Sequence, residues 1–284
     1  MPFSVPLEEA RTDYPGYTFI SALTPSEQKA AFHVRDKMTG RDLCLKIIAP
    51  NYRIDRLNRE IQALKSIVHP NVVAFVEYTF SIKLEGERHF IVEEFIEGTD
   101  LSDALKPGQQ WSTMRAFAFF AELCDGLSIL SNNNIVHRDL KPSNIRIRPS
   151  GSPVIIDFGL ARLLDLPDIT STSEGAAIGT LQYFSPEQCK GTKYDIDHRT
   201  DLFALGVMLY QALVGYHPFW QGGMSDSQIR DAICNSDAHL ATPEFLALPE
   251  KWRLIAERLL CKERSGRPSN AGQVAIILSK IGAV

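Results

Sequence analysis

Residues 137–144 read HRDLKPSN, and residues 153–159 read PVIIDFG. These two stretches bring two carboxylates (Asp139 and Asp157), one amine (Lys141) and one carboxamide (Asn144) close together in the chain. Phosphoryl transfer needs this inventory: a carboxylate to orient a hydroxyl, a cation beside the transferred group, and oxygen ligands for magnesium. A lone Asp-Phe-Gly is a weak signal. The eight-residue string followed at this spacing by Asp-Phe-Gly is a strong one.

The chain upstream of this string is strand-like. Five apolar runs lie between Tyr17 and residue 95, separated by turn signals such as Thr39-Gly40; they read YTFIS, AAFHV, LCLKII, VVAFVEYTF and HFIVEEF. One interruption, Tyr52 to Val68, has apolar residues at helical spacing and ends before His69-Pro70. We therefore expect a short N-terminal extension over 1–16 and then a small antiparallel sheet with one main helix over 17–96.

The chain from residue 97 to 284 has a mostly helical pattern. The predicted helices cover 114–130, 200–215, 226–235, 250–262 and 270–281. A loop-rich insert over 135–187 contains two short strand-like pieces, NIRIR and PVIID. The pattern predicts an α+β fold with two lobes inside one domain, residues 17–280.

Composition excludes several classes of protein. Across 284 residues and 31.7 kDa, 44% are hydrophobic and the formal net charge is −4, which gives no basic footprint for nucleic acid or for an anionic membrane surface. Five dispersed cysteines without a CxxC pair do not indicate a disulfide framework or a zinc site. The N-terminus has no signal-peptide pattern, and no apolar run is long enough to span a bilayer, so we expect a cytoplasmic protein.

From Tyr17 to Leu278 the sequence resembles the eukaryotic-like serine/threonine protein kinase superfamily. The resemblance implies a bilobal fold, ATP as phosphate donor, Mg²⁺ or alternatively Mn²⁺ as the metal, and a protein hydroxyl as acceptor. Lys141, two residues after Asp139, matches the lysine of serine/threonine kinases. The sequences RTDLFALG and GTLQYFSPEQ resemble those of bacterial serine/threonine kinases. We also expect a kinase domain that stands alone.

The resemblance also implies roles for single residues. Asp139 matches the aspartate that orients the substrate hydroxyl, and Asn144 and Asp157 match the metal ligands. Lys46, in LCLKII, matches the lysine that holds the nucleotide's α- and β-phosphates, and Glu60 matches its ion-pair partner.

The segment after Asp157 resembles an activation segment. Its Ser185-Pro186-Glu187 stands where the family usually has Ala-Pro-Glu, and the resemblance implies that Glu187 pairs with Arg267. Asp201 then braces the backbone of the catalytic loop. The candidate phosphorylation sites are Thr170, Ser171, Thr172, Ser173 and Thr180. Phosphate on the 170–173 cluster is expected to pair with Arg138 and order the segment. The alternative is a flexible polar loop that is never modified.

The glycine-rich phosphate loop of the family is missing. Its characteristic positions fall on Thr24, Ser26, Lys29 and Ala31, and no glycine occurs between Gly16 and Gly40. Glycines let a backbone approach phosphates closely. Here we expect hydroxyl and ammonium groups, chiefly of Ser26 and Lys29, to make the phosphate contacts instead.

Two charged residues fall on the predicted adenine pocket. Glu93 occupies the gatekeeper position, normally apolar or small, ahead of hinge residues 94–96, of which Glu94 and Ile96 offer backbone contacts to a nucleotide. Arg146 stands where the family has a leucine beneath the adenine. Burying either charge alone is costly. Four alternatives stay open: the two point outward, they pair with each other, one pairs with Lys46, or the strand alignment is shifted by one residue.

Three functions remain in competition. The first is an active ATP-dependent serine/threonine protein kinase that phosphorylates itself. The second is a pseudokinase, a binding or scaffold protein whose altered loop and charged pocket weaken nucleotide binding. The third is a transferase with another nucleotide or substrate, since a fold does not fix its chemistry.

Overall fold

The computed structural model describes residues 2–26, 29–49, 65, 67–83, 86–157, 181–191 and 195–282. Within these ranges the chain divides into two compact units. The first contains residues up to 69 together with 73–96, and the second contains residues 70–72 and the described chain from residue 97 onward.

The first unit is built on a five-stranded antiparallel sheet in the order β1-β2-β3-β5-β4. Its strands are β1 (Tyr17–Ala22), β2 (Lys29–Asp36), β3 (Asp42–Ile48), β4 (Phe75–Lys83) and β5 (Gly86–Glu94). All five strands were predicted from the apolar runs. The predicted helix over 52–68 falls almost wholly outside the described residues.

The sheet has two faces of different character because successive side chains on a strand alternate. Leu43, Leu45 and Ile47 of β3 belong to a buried apolar cluster with Phe90 and Val92 of β5. Cys44 and Lys46 alternate with them and lie on the other face of the sheet. Their cross-strand partners on β5 are Glu93 and Ile91, respectively.

The N-terminal residues are part of the core of the first unit. A short helix, α1 (Leu7–Asp13), follows Val5 and precedes Tyr14, and Val5, Ala10 and Tyr14 are buried in the apolar cluster. The Tyr14 ring packs edge-on against Phe90 with ring centroids 4.5 Å apart. The segment predicted as an extension therefore covers the apolar face of the sheet.

The second unit contains a small sheet and most of the helices. The sheet is β6 (Thr99–Asp100), β7 (Ile145–Ile147) and β8 (Pro153–Ile155), all antiparallel. The described helices are α2 (Leu101–Ala104), α3 (Thr113–Asn132), α4 (Pro186–Cys189), α5 (His198–Val214), α6 (Asp226–Asn235), α7 (Pro243–Leu246), α8 (Glu250–Leu259) and α9 (Ala271–Gly282).

Helix α5 is the centre of this unit. Fifteen of its seventeen residues, Thr200 to Val214, are buried, so the helix is enclosed on all sides. It ends at Gly215, whose φ of 92° is the left-handed conformation that favours glycine. The predicted sheet-based lobe and helical lobe are both confirmed, while the exact domain boundaries stay predictions.

Two further sequence predictions concern cysteines and membrane spans. None of the five cysteines, all of which lie in the described ranges, forms a disulfide bond. No helix among the described residues is long and apolar enough to cross a bilayer.

Two histidines are buried in the core of the second unit. The ring of His217 packs edge-on against Tyr183, and the ring of His239 packs edge-on against Phe219. Burial lowers the pKa of His217 to about 3 and that of His239 to about 4. Lys262, near His239, lowers the pKa of His239 further, and Asp237 opposes this. Both imidazoles are therefore neutral in the folded protein.

These histidines predict a loss of stability in mild acid. Below the ordinary histidine pKa of about 6.5, the unfolded chain binds protons that the folded chain does not, at about 1.4 kcal/mol per pH unit for each histidine. The contribution is constant above that pH and is lost as pH falls toward about 4 for His239 and about 3 for His217. Urea unfolding from pH 7.5 to 5 measures the slope. His239→Gln should reduce the pH dependence of the unfolding free energy by the equivalent of about one proton. An unchanged pH dependence would contradict a neutral, buried His239.

Candidate active site

The side chains of the HRDLKPSN string converge on Asp139. Lys141 Nζ lies 2.8 Å from Asp139 Oδ2 and 3.1 Å from Oδ1. Asn144 Nδ2 donates to the Asp139 carbonyl at 2.8 Å and to its carboxylate at 3.1 Å. The Asp139 side chain remains about one-third exposed. A carboxylate thus stands accessible and oriented, with an ammonium beside it.

His137 holds this loop to the end of β8. Its Nε2 donates to the Ile156 carbonyl at 3.0 Å, and its Nδ1 accepts from the Asp139 N–H at 3.3 Å. The ring is buried, so these two bonds select the tautomer that carries its proton on Nε2. His137 therefore fixes the backbone that presents the Asp139 carboxylate.

Arg138 has a strained backbone that two buried residues hold. Its φ is 64°, a left-handed value that costs a residue other than glycine about 1–3 kcal/mol. Asp201 accepts from the N–H groups of His137 and Arg138 at 2.8 and 2.9 Å, and Gln188 Nε2 donates to the Arg138 carbonyl at 2.7 Å. Burial raises the pKa of Asp201, and the two N–H donors oppose that shift. Peptide groups on both sides of Arg138 are thus clamped.

Asp157 and Asn144 lie at adjoining ends of paired strands. Ile145 of β7 is opposite Ile155 of β8, and the Ile156 N–H donates to the Asn144 carbonyl at 2.9 Å. Asp157 follows directly, with a left-handed φ of 59°. The strand pairing therefore brings the backbones of Asn144 and Asp157 close together.

Glu187 and Arg267 form a buried bidentate ion pair. Arg267 Nη1 and Nη2 lie 2.7 and 2.8 Å from the two Glu187 oxygens, and Thr200 also donates to Glu187. The remaining Arg267 donors bond the carbonyls of Cys261, Arg199 and Lys262. Burial acts to raise the pKa of Glu187, but Arg267 more than offsets it, so this pKa lies below its ordinary value. The pair ties α4 to the chain after α8.

Lys46 and Glu93 form an ion pair in the first unit. Both residues are 4% exposed, and Lys46 Nζ donates to Glu93 Oε2. This outcome selects one of the four alternatives left open for Glu93. A surface position, and with it a one-residue shift of this strand, is contradicted because the side chain is buried.

Arg146 has a different partner. It lies on β7 and pairs with Asp100 of β6 at 2.8 Å, and it also donates to the Gly98 carbonyl. Its partly buried guanidinium is therefore neutralised within its own small sheet. The alternative in which Arg146 pairs with Glu93 stays a prediction.

The turn that replaces the glycine-rich loop is held by backbone bonds. The Ser26 N–H donates to the Lys29 carbonyl at 3.0 Å, and the Lys29 N–H donates to Ser26 Oγ at 3.2 Å. The N-terminal segment reaches this turn, since the Phe3 N–H donates to the Ser26 carbonyl at 2.8 Å. The turn is closed by hydroxyl and backbone groups rather than by glycine conformations.

The predicted hinge leaves β5 after Glu94. The Glu94 N–H donates to the Ala74 carbonyl at 2.9 Å, and the Phe95 N–H to the Asp42 carbonyl at 3.4 Å. Ile96, the other predicted contact, is buried. Several predicted residues lie outside the described ranges: Glu60, Thr170, Ser171, Thr172, Ser173 and Thr180.

A family comparison matches this arrangement. The model of the protein kinase domain family covers residues 28–276, most of the chain. The chain belongs to the protein kinase family. Its catalytic loop, its Asp-Phe-Gly aspartate and its Glu187–Arg267 pair all fall inside the matched region.

Curated relatives refine the family. The chain is 34% identical over 255 residues to serine/threonine-protein kinase pkn2 of Myxococcus xanthus, covering 84% of this chain and 29% of that protein. It is 34% identical over 190 residues to PknB of Mycobacterium tuberculosis, covering 65% and 30%, and 32% identical over 258 residues to a probable PknB of Bifidobacterium longum, covering 86% and 36%. The chain thus spans about a third of the length of these relatives.

These comparisons confirm the resemblance to serine/threonine protein kinases. The relatives reported above are all bacterial and are all named as kinases, which favours the kinase prediction and gives the pseudokinase no support.

Three structural residues were not predicted from the sequence. His137 was quoted only as part of its motif, and the Asp100 partner of Arg146 lies 46 residues away. Gln188 had a usable signal, because Ser185 and Gln188 form a capping box, a pattern readable as Ser-x-x-Gln. That signal predicts the helix start but not the bond to Arg138.

Proposed function

We propose that this chain acts as a serine/threonine protein kinase that transfers the γ-phosphate of ATP to a protein hydroxyl and phosphorylates itself. The observation that carries the proposal is the cluster of Asp139, Lys141 and Asn144, joined by contacts of 2.8 to 3.1 Å. The side chains that phosphoryl transfer requires are present and mutually oriented.

In the proposed reaction the substrate hydroxyl oxygen attacks the γ-phosphorus, and the bond from that phosphorus to the bridging oxygen of ADP breaks. Asp139 orients the hydroxyl and accepts its proton. Lys141 lies within reach of the same carboxylate and balances charge on the transferred group. Because the transition state is stabilised mainly by position and charge, the rigid loop around Arg138 is part of this mechanism.

The residues fit a divalent cation. The amide nitrogen of Asn144 is committed to Asp139, which leaves its Oδ1 as the ligand atom, and Asp157 supplies a carboxylate at the adjoining strand end. Two protein oxygens plus substrate phosphates are a usual magnesium set. When bound, the cation neutralises charge on the phosphate oxygens. We propose Mg²⁺ as the metal, with Mn²⁺ as a substitute.

We propose that Lys46 contacts the nucleotide phosphates and that Glu60 is its partner. The Ser26 hydroxyl and the Lys29 ammonium are proposed phosphate contacts, and the backbones of Glu94 and Ile96 are proposed adenine contacts. The hydrogen-bonded turn from Ser26 to Lys29 supports the proposed phosphate contacts, because it brings these two polar residues together.

Regulation is proposed to act through the activation segment. Phosphate on Thr170, Ser171, Thr172 or Ser173 would pair with Arg138, and Thr180 is a further candidate site. Asp201 and Gln188 support this, because they hold the Arg138 backbone in place. Glu187, Arg267 and Asp201 are proposed as structural residues.

The partner is proposed to be a protein substrate, with no role for nucleic acid or membrane, as the net charge of −4 supports. A cytoplasmic location fits a reaction that consumes ATP. Oligomeric state is left out of the proposal.

Thermal unfolding tests nucleotide and metal use together. A ligand that binds the folded state raises Tm in proportion to RT ln(1 + [L]/Kd). ATP with Mg²⁺ should raise Tm, ATP with Mn²⁺ should do so comparably, and ATP with EDTA should have a smaller effect. The absence of any nucleotide-dependent shift, with no phosphate transferred, would overturn the proposal in favour of a pseudokinase.

A further inference from the structure

Glu93 places a carboxylate directly on the lysine that kinase chemistry uses. Cys44 of β3 lies opposite Glu93 of β5, and Lys46 is two residues further along β3 on the same face. Lys46 and Glu93 are therefore diagonal neighbours, a distance that two long side chains span. The ion pair between Nζ and Oε2 follows from strand register, not from a mobile loop.

The backbone that carries Glu93 is held by neighbouring strands on both sides. Glu93 lies on β5, which pairs with β3 on one side and with β4 on the other, where Phe75 is opposite Glu93. The next residue, Glu94, is bonded to Ala74. Only 6% of the Glu93 side chain is exposed, so water does little to screen its charge. The strand pairing therefore holds the Glu93 backbone beside Lys46, and the buried carboxylate has Lys46 as its ion-pair partner.

A phosphate ligand of Lys46 must therefore share or displace a resident anion. The ammonium has three donors, all of which favour anionic oxygens. At a buried position each anion on this ammonium competes electrostatically with the others. An uncharged or apolar residue at position 93 would impose no such competition.

We propose that Glu93 is a built-in competitor of the nucleotide's phosphates for Lys46 and so determines how strongly this domain binds ATP. The inference rests on the proposed function, in which Lys46 contacts the α- and β-phosphates. Glu93 acts through Lys46 and is a positioning residue. It lowers affinity for phosphate-bearing ligands and leaves the affinity for a nucleoside without phosphates unaffected.

The test compares ATP with adenosine in wild type and in Glu93→Gln, by isothermal titration on the full chain. Glutamine keeps the size of the side chain and an oxygen that accepts from Lys46 but removes the negative charge. ATP should bind about tenfold more tightly, the scale of one charge-assisted interaction. Adenosine affinity should change less than about twofold. The Tm of the nucleotide-free variant should fall, because Lys46 loses a buried counter-charge.

Glu87→Gln is the matched control. It makes the same charge change on the same strand, at an exposed position. It should leave ATP affinity, adenosine affinity and Tm close to those of wild type. If Glu93→Gln does not fold, Glu93→Met, which restores the apolar character usual at this position in the family, is measured with the same ligands and the same expected direction.

The outcomes separate this inference from the proposed function. If wild type binds ATP and the Glu93 variant binds it equally or more weakly, competition by Glu93 is wrong while the kinase proposal stands. Tightening of ATP and adenosine alike would also overturn it, because the effect would not act through phosphate. If wild type binds no ATP and transfers no phosphate, the proposed function itself fails.

Discussion

Asp139→Ala should abolish phosphoryl transfer while leaving the fold and nucleotide binding nearly intact. The variant removes the carboxylate proposed to orient the substrate hydroxyl and accept its proton, an effect of about 10²–10⁴-fold in rate. Lys141 and Asn144 each lose a partner but remain on a loop that His137 and Asp201 still hold. Initial rates with γ-labelled ATP and a generic protein substrate measure the loss.

Two comparisons make this result specific. Asp231→Ala removes an exposed aspartate from α6 and should keep the wild-type rate. Asp157→Ala should lose both transfer and the metal-dependent part of nucleotide binding, because a proposed metal ligand is gone. Wild-type rates in Asp139→Ala would show that the loop does not perform the chemistry.

Among the variants proposed, Arg267→Met should cause the largest decrease in the free energy of unfolding. It leaves Glu187 as an uncompensated buried carboxylate, and breaking a buried pair in this way costs about 3–5 kcal/mol. Three backbone carbonyls also lose their donor. Urea unfolding measures the free-energy change.

The neighbouring Arg264 provides the control. It pairs with Asp195 at the surface, where such pairs contribute at most about 1 kcal/mol, so Arg264→Met should be far milder. Glu187→Gln combined with Arg267→Met should be less destabilised than the sum of the two single variants, because the unpaired charge is removed. Equal effects of Arg267→Met and Arg264→Met would mean that the buried pair is not a major structural bond.

Local sequence signals predicted the strands of the first unit and the loop that carries Asp139. The strands could be predicted because apolar runs end at turn residues. The HRDLKPSN string could be interpreted because its residue types are those that phosphoryl transfer requires. Helix α1 was not predicted. It has seven residues with a single buried position, Ala10, so it shows no helical periodicity, and only its packing on the sheet reveals its place.

The partners of the two charged pocket residues could not be predicted. Glu93 and Lys46 are 47 residues apart, and only the register of β3 against β5 makes them neighbours. Arg146 finds Asp100 because β6 and β7 pair. The sequence predicted Lys46 as one possible partner of Glu93. The register of β3 against β5 determines that this pair forms.

The most direct test of the account is autophosphorylation of wild type beside Asp139→Ala. Both proteins are incubated with ATP and Mg²⁺, and intact mass is followed by peptide mapping of residues 157–187. We expect phosphate on wild type alone, at one or more of Thr170, Ser171, Thr172, Ser173 and Thr180. Unphosphorylated wild type that also fails to phosphorylate a generic substrate, with no shift in Tm on adding ATP, would contradict it.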